Sequence, residues 1–326
     1  MQDQHSQLFL SGNLSCETDS LHYVVAPIAH IKESTLYDHV KPYMILSAGD
    51  VDIPKTNCFF TAGNNVVIRD LRASGSGLRD ADGFDSQGFA YLDVPSGVKL
   101  SMEKFKSSDV SGELLEYLEE TRTFVHGFFK ANKTICFDWR LRTSYNNKGS
   151  HSEEDISLAR TDPIPPAYKA HADLSYEGGL KALKAYLNEQ ELRHLHDGSS
   201  RCRIINCWRP LVAVVEDVPL AMCDRRSVQL ADWLPYDRID DTGPGEGLWL
   251  KQREWHQWYW YSQMTKHDII LFQSWDSEAP EFQGHTPHAA FLNPAAKENC
   301  EPRASIEVRL IAITSLRKDR VQGDGK

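Results

Sequence analysis

Apolar residues recur at two different periods along this chain, and the change of period separates helical from extended regions. The segment SGELLEYLEETRTFVHGFF, which ends at residue 129, places Leu114, Leu115 and Leu118 on one side at helical spacing. Ser111 suits the N-cap, because its hydroxyl can accept a hydrogen bond from the first turn. A second amphipathic helix is predicted from about residue 178 to 194, where leucines recur near a period of 3.6.

After residue 200 the chain consists of short β-rich runs separated by turns. These runs cover residues 203–208, 211–215, 258–261, 268–272 and 305–314. The Gly-rich segment at 240–247 is interpreted as a plain turn, since it has no Lys-Ser or Lys-Thr for phosphate binding. The pattern predicts a mainly β fold with flanking helices, built around a sandwich or barrel core.

Composition is that of a folded enzyme-sized domain. The 326 residues are 41% hydrophobic and 25% charged, which is enough apolar material for a sizeable core. We expect one domain over residues 1–326. It would have an N-terminal extension at 1–56, a core with helices and an insertion at 57–315, and a tail at 316–326.

The charge balance narrows the class of partner. A net charge of −10 and a pI near 5.7 argue against a nucleic-acid partner and favour a small-molecule substrate. No apolar run approaches the roughly 20 residues that a membrane span needs. The N-terminus lacks a secretory pattern, and the seven cysteines are never spaced C-x-x-C, so a reducing cytoplasm is expected.

An H-x-D motif follows a Pro-rich turn and supplies the first candidate metal ligands. His171 and Asp173 alternate along an extended segment and therefore face the same side. A third ligand is sought in the C-terminal region, where His288 opens the apolar run Ala-Ala-Phe and His285 is a rival three residues earlier. Two imidazoles and one carboxylate leave room for a co-substrate and oxygen, which suits ferrous iron.

A cationic pair follows the candidate histidine. Arg303 and Ser305 open the last strand, in an Arg-x-Ser arrangement that suits the distal carboxylate of 2-oxoglutarate. Arg309 lies further along the same strand and is the alternative carboxylate partner. In a structural interpretation, both arginines are instead balanced by Glu307.

Four more residues are candidates for the pocket. Asn206 and Tyr259 could line it as hydrogen-bonding groups, with Asn206 near the co-substrate. Arg209 and Arg140 could hold an acidic substrate, because a planar guanidinium matches a carboxylate. The alternative for these arginines is structural pairing with Asp217, Asp224 or Asp138.

Several further sequence segments carry a resemblance to a known family. They are NCWRPL (206–211), VPLAMCDRRSV (218–228), HQWY (256–259), WDS (275–277), PHAAF (287–291) and RASIEVR (303–309), with GFD (83–85), GF (88–89) and RTFV (122–125) upstream. Together they resemble the fungal AsaB-like hydroxylase/desaturase family, which includes gibberellin desaturase-like and cephem methoxylation subunit-like proteins. The likeness covers residues 57 to 315.

The resemblance implies a double-stranded β-helix of the jelly-roll, cupin-like type, iron(II), 2-oxoglutarate and O2. It also implies oxidation of an unactivated C–H bond in fungal secondary metabolism, by hydroxylation, desaturation or ring formation. The metal triad then falls on His171, Asp173 and His288, and the co-substrate residues on Arg303 and Ser305. Two alternatives stay open: a non-catalytic subunit of an oxygenase heterodimer, and a cupin-type iron dioxygenase that does not use 2-oxoglutarate. A homodimer, or a heterodimer with a paralogue, is the oligomeric expectation.

Overall fold

The computed structural model describes residues 22–46, 53–73, 81–106, 111–145, 161–240, 243–280 and 282–316. Within these ranges the strands are β1 (Tyr23–Ile28), β2 (Tyr43–Ile45), β3 (Asn64–Asp70), β4 (Phe89–Asp93), β5 (Lys133–Thr143), β6 (His171–Ala172), β7 (Ser200–Pro210), β8 (Leu220–Cys223), β9 (Trp233–Asp240), β10 (Gly243–Leu250), β11 (Trp258–Trp260), β12 (Asp268–Asp276), β13 (His288–Ala290) and β14 (Ala304–Ser315). The helices are α1 (Ala81–Gln87), α2 (Met102–Phe105), α3 (Gly112–Phe128), α4 (Tyr176–Tyr186) and α5 (Glu189–His196), with short 3₁₀ turns at Thr35–Asp38, Arg225–Ser227 and Leu230–Asp232.

Among the described residues the strands form two sheets. The larger sheet has nine strands in the order β1-β3-β11-β8-β13-β6-β10-β9-β2, and the smaller has five in the order β4-β12-β7-β14-β5. Side chains of the two sheets meet between them, since the rings of Phe272 in β12 and His288 in β13 lie 4.6 Å apart. The mainly β prediction is confirmed, and the space between the sheets is where a site can form.

The smaller sheet carries most of the core. All nine residues of β12 are buried, as expected for a strand with neighbours on both edges and both faces. The hydrophobic cluster of α2, α3, β4, β7, β12 and β14 includes Phe105, Tyr117 and Trp208. A separate cluster packs α4 and α5 against the far end of the same sheet.

Helix α3 begins as predicted, because Ser111 Oγ accepts a hydrogen bond from the Leu114 N–H at 3.2 Å. The predicted buried side was partly wrong. The buried residues of α3 are Leu114, Tyr117, Thr121 and Val125, whereas Leu115 is 57% exposed. Tyr117, which is fully buried, lies on the side of the helix that faces the core.

The predicted helix at 178–194 is in fact two helices. Helix α4 ends at Tyr186, and α5 starts again at Glu189 after a capping box between Asn188 and Glu191. The Asn-x-x-Glu pattern was present in the sequence and marked this new helix start. The leucine periodicity runs through the break because both helices pack on the same cluster.

One strand prediction and one turn prediction were wrong, and the N-terminal residues also contribute strands. Residues 211–215 lie outside any strand, immediately after β7 ends at Pro210. The supposed turn at 240–247 is mostly strand, because β10 starts at Gly243 and pairs with β9. Residues predicted as an N-terminal extension supply β1 and β2, which lie at the two edges of the larger sheet.

Candidate metal centre and active site

Three ligand-type side chains meet at the inner face of the larger sheet. His171 opens β6 and His288 opens β13, and these two residues are direct cross-strand partners. Asp173 follows β6 directly, and because side chains alternate along an extended chain it faces the same way as His171. One ligand atom from each of the three lies within 4.8 Å of the others, and no other such group of three occurs among the described residues.

Backbone carbonyls fix both imidazoles. His171 Nδ1 donates to the Lys169 carbonyl at 2.7 Å, and His288 Nδ1 donates to the Thr286 carbonyl at 3.1 Å. A carbonyl can only accept, so in the neutral form of each ring the proton lies on Nδ1 and the lone pair on Nε2. The two Nε2 atoms lie 3.5 and 4.0 Å from Asp173 Oδ1. Burial, followed by repulsion from His171, lowers the pKa of His288 to about 3, so this ring is neutral.

The Asp173 carboxylate is held through Oδ2, the oxygen other than the one nearest the imidazoles. Asn206 Nδ2 donates to Asp173 Oδ2 at 2.6 Å, and a terminal nitrogen of Arg309 donates to the same oxygen at 3.2 Å. Ser274 in turn donates to Asn206 Oδ1 at 2.9 Å. Burial acts to raise the pKa of Asp173, but the charge of Arg309 outweighs it and holds that pKa well below its usual value.

Arg309 is neutralised by carboxylates on three sides. Besides Asp173, it donates to Asp138 at 2.9 Å and to Glu307 at 2.8 Å. Burial acts to lower the pKa of Arg309, but Asp173, Glu307 and Asp138 raise it above its ordinary value. The charge of Arg309 is therefore already balanced by carboxylates of the protein.

Arg303 is buried in a contrasting environment. Its guanidinium donates to Ser305 Oγ at 3.3 Å and to the Val218 carbonyl at 3.0 Å, both neutral groups, and lies 5.0 Å over the ring of Trp208. Burial, then repulsion from Arg142, lowers the pKa of Arg303 to about 9. Only 1% of the residue is exposed, so a desolvated cation lies beside a hydroxyl.

The other predicted site residues are distributed as follows. His285 is buried, but its Nδ1 donates to the Ser274 carbonyl at 2.9 Å and it does not join the cluster. Arg140 lines a cleft that opens onto His171 and Asp173. Tyr259 shares a cross-strand partner with His288, namely Met222, so it lies on the same face two strands away.

Arg209 is not brought to the site. Its guanidinium donates to Tyr117 Oη and to the carbonyls of Val94 and Lys266, within the core beneath α3. Asp217, which was considered as its partner, accepts instead from the Arg303 backbone N–H. The prediction failed because neighbouring residues of β7 face opposite sides: Trp208 faces the site, and Arg209 does not.

Sequence reasoning missed part of the cleft. Arg142 and the stacked pair Tyr236 and Trp249 line it, with the two rings 4.2 Å apart. Arg142 was detectable, since it lies two residues after Arg140, the spacing that places side chains on one face of a strand. The aromatic pair was not, because it requires the register of β9 and β10.

Comparison with known proteins identifies the protein family. Residues 28–313 match the family described as an oxidoreductase/YMDC permease-like domain. The chain belongs to this family. Its relatives include the Fe(II)/2-oxoglutarate-dependent dioxygenase nvfI of Aspergillus novofumigatus (strain IBT 16806), 26% identical over 240 residues, which are 72% of this chain and 79% of the relative.

Two further relatives carry names that match the sequence-based resemblance. They are the hydroxylase/desaturase CTB9 of Cercospora beticola, 28% identical over 69% of this chain and 70% of the relative, and the hydroxylase/desaturase asaB of Aspergillus flavus, 32% identical over 40% of this chain and 63% of the relative. The resemblance to AsaB-like hydroxylase/desaturases is confirmed, and with it the class of iron(II)- and 2-oxoglutarate-dependent oxygenases.

A solved structure confirms the fold of this family member. The iron and alpha-ketoglutarate-dependent endoperoxidase NvfI superposes with a TM-score of 0.74 at 20% identity, over 90% of this chain and 99% of that one. The predicted jelly-roll core is thereby confirmed. Within the part of the chain that the structure describes, no helix is long and apolar enough to span a membrane.

Proposed function

We propose that this protein binds iron(II) through His171 Nε2, the Asp173 carboxylate and His288 Nε2, and oxidises an unactivated C–H bond of a small metabolite. The observation that carries the proposal is the convergence of the three ligand atoms within 4.8 Å. They come from two separate strands, with the buried Arg303–Ser305 pair on the facing sheet.

The donor set fits ferrous iron. Both imidazoles offer a lone pair on Nε2, because each Nδ1 proton is held by a backbone carbonyl. The carboxylate is ionised, and one of its oxygens is held by Asn206 and Arg309. Two nitrogens and one oxygen on one side are the arrangement of non-haem iron oxygenases, which keep the remaining positions open.

Arg303 and Ser305 are proposed to bind the distal carboxylate of 2-oxoglutarate. The guanidinium is desolvated and has neutral partners, so an anion beside it would relieve the penalty that lowers its pKa. Arg309 is less suited, since Asp173, Glu307 and Asp138 already surround it. Asn206 is then a residue that orients Asp173, without direct contact to the co-substrate.

The surrounding side chains shield the metal ligands from water. Phe272 packs against His288, and Trp249 lies 6.0 Å from the His171 ring, so apolar groups limit water near both ligands. When bound, iron together with 2-oxoglutarate and O2 supplies the oxidising chemistry. Hydroxylation, desaturation and ring formation can all follow loss of one hydrogen atom, and the position of the substrate carbon selects among them.

Three features stay proposals alongside the reaction: the cellular setting, the domain organisation and the oligomeric state. A reducing, cytoplasmic setting is supported by the described cysteines, which are all free thiols: Cys58, Cys136, Cys202, Cys207, Cys223 and Cys300. A single domain over the whole chain, and a homodimer or a heterodimer with a paralogue, are proposed from the sequence.

The test is metal loading followed by turnover. Protein loaded anaerobically with Fe(II) and desalted should retain iron, and on exposure to air with 2-oxoglutarate it should form succinate. His171→Ala should lose both, whereas the control His285→Ala should keep iron, because His285 lies outside the cluster. A wild-type protein that retains no iron would favour the non-catalytic subunit. Turnover unaffected by loss of Arg303 would favour a cupin-type dioxygenase.

A further inference from the structure

The cleft above the metal cluster has two chemically different walls. It is partly open to solvent and ends at His171 and Asp173. One wall comes from the smaller sheet and is cationic. The other comes from the larger sheet and is mainly apolar, with Arg238 and Asp240 of β9 as its charged residues.

The cationic wall is built on β5. Arg140 and Arg142 are two residues apart and therefore face the same side, opposite Glu307 and Ser305 of β14. Arg142 donates to the Pro165 carbonyl at 2.8 Å, and Arg140 Nε lies 3.8 Å from Asp138. That carboxylate is shared, since Arg309 approaches it more closely, at 2.9 Å.

The charge of the outer cleft is positive. Arg309 at its inner end is neutralised by Asp173, Glu307 and Asp138. Among the remaining described residues of the lining, the cations are Arg140, Arg142, Lys169 and Arg238, and the one carboxylate is Asp240. This excess occurs in a chain whose net charge is −10, so it is a local feature and not an effect of composition.

The apolar wall reaches the metal ligands. Met44 and Leu46 lie at one edge, and the Tyr236 ring stacks on Trp249 at 4.2 Å with an angle of 18° between the planes. Trp249 is the cross-strand neighbour of His171. A hydrocarbon lying on this stack would therefore present its carbons beside the metal cluster.

We propose that the substrate is an apolar carboxylic acid whose carboxylate binds the Arg140–Arg142 face of β5 while its hydrocarbon lies on Tyr236 and Trp249. This inference rests on the proposed function and specifies its substrate class. A guanidinium binds a carboxylate through two parallel hydrogen bonds, and the partly enclosed cleft strengthens that attraction. With the acid group on one wall, the carbon to be oxidised lies on the other, close to His171.

The probes are decanoate, decanamide and decyltrimethylammonium, which share an alkyl chain and differ in the charge of the head group. Each is titrated by calorimetry into Mn(II)-loaded protein saturated with 2-oxoglutarate, so that the co-substrate site is already filled. We expect decanoate to bind at least about tenfold more tightly than decanamide, and the cation to bind most weakly.

Variants assign the preference to the proposed face. Arg140→Met and Arg142→Met should each reduce the preference of the protein for decanoate over decanamide. Lys133→Met removes a cation from the exposed start of the same strand, where Lys133 pairs with Glu191, and should keep the preference. Thermal unfolding of each variant identifies any that fails to fold, and the other arginine variant then supplies the test.

The outcomes separate this inference from the proposed function. Equal binding of acid and amide, binding of none of the three probes, or a preference that survives in both arginine variants would overturn the substrate class. If the wild-type protein binds neither Mn(II) nor 2-oxoglutarate, the proposed function fails first. Because both quantities are measured on the same samples, the two failures are distinguishable.

Discussion

Replacing Arg303 by methionine should make the metal-free protein more stable while removing its affinity for 2-oxoglutarate. The fall of the Arg303 pKa from 12.5 to about 9 corresponds to about 5 kcal/mol against the charged form in the folded state. Both values lie above pH 7, so the side chain is charged in the folded and unfolded states and the whole penalty acts there.

The losses on substitution are smaller than this penalty. Methionine removes two hydrogen bonds to neutral groups, worth about 1 kcal/mol each, and a cation–π contact with Trp208 worth about 1 kcal/mol. Its unbranched side chain still packs on Trp208. We therefore expect the free energy of unfolding of Arg303→Met to rise by about 2 kcal/mol.

Arg309→Met is the control, six residues further along the chain, in β14, with 12% of its side chain exposed. Its removal leaves Asp173, Glu307 and Asp138 without their shared cation, and breaking such a buried pair costs about 3–5 kcal/mol. The two arginine substitutions should thus shift stability in opposite directions.

The assay is urea unfolding of the metal-free proteins at pH 7, followed by circular dichroism, with calorimetric titration of 2-oxoglutarate into the Mn(II)-loaded proteins. Arg303→Met should weaken 2-oxoglutarate binding by about 100-fold or more, because a buried charge pair can no longer form. If Arg303→Met destabilises the protein as much as Arg309→Met does, or binds 2-oxoglutarate like the wild type, Arg303 is a structural residue and the reasoning is refuted.

Two further predictions concern stability away from the cleft. Gly179→Ala should destabilise the protein by about 1–3 kcal/mol, because its Cβ would lie 2.1 Å from the Trp275 ring. Gly127→Ala, with open space around it in α3, should stabilise the protein by up to about 1 kcal/mol in the same urea experiment. Burial lowers the pKa of His30 from 6.5 to about 4. Between these two pH values the unfolded chain binds a proton that the folded protein does not bind. The free energy of unfolding should therefore rise with pH across that window, by about 3 kcal/mol in total. His30→Leu should remove that part of the slope, and an unchanged slope would show that His30 is not the group responsible.

The convergence of His171, Asp173 and His288 could be predicted from the sequence because each position depends on local order along the chain. His171 and Asp173 need only an extended backbone to face the same side. His288 was favoured because it opens an apolar run, and β13 indeed begins at that residue. His285, which lies outside that strand, turns to the Ser274 carbonyl instead.

The sequence could not separate Arg303 from Arg309, although both were recognised as candidates. Alternation along β14 places Ser305, Glu307 and Arg309 on one face, so the strand itself gives no preference. The preference comes from other strands: β5 brings Asp138 opposite Arg309, whereas Arg142 lies opposite Ser305. Pairing partners from distant parts of the chain therefore determine which guanidinium is neutralised.

Strand register also explains why Arg209 was wrongly predicted to line the pocket and why Arg142 was missed. Arg209 adjoins Trp208, which faces the site, but the next residue of a strand faces the other side and here enters the core beneath α3. Arg142 follows Arg140 at an even spacing and so must share its face, which makes the pair a property of β5 as a whole. An arginine on this strand acts on the cleft only at even spacing from Asp138, the residue that anchors Arg309. A substrate carboxylate bound there would meet two adjacent guanidinium groups instead of one, and this is why each single variant is expected to weaken the preference for the acid without removing it.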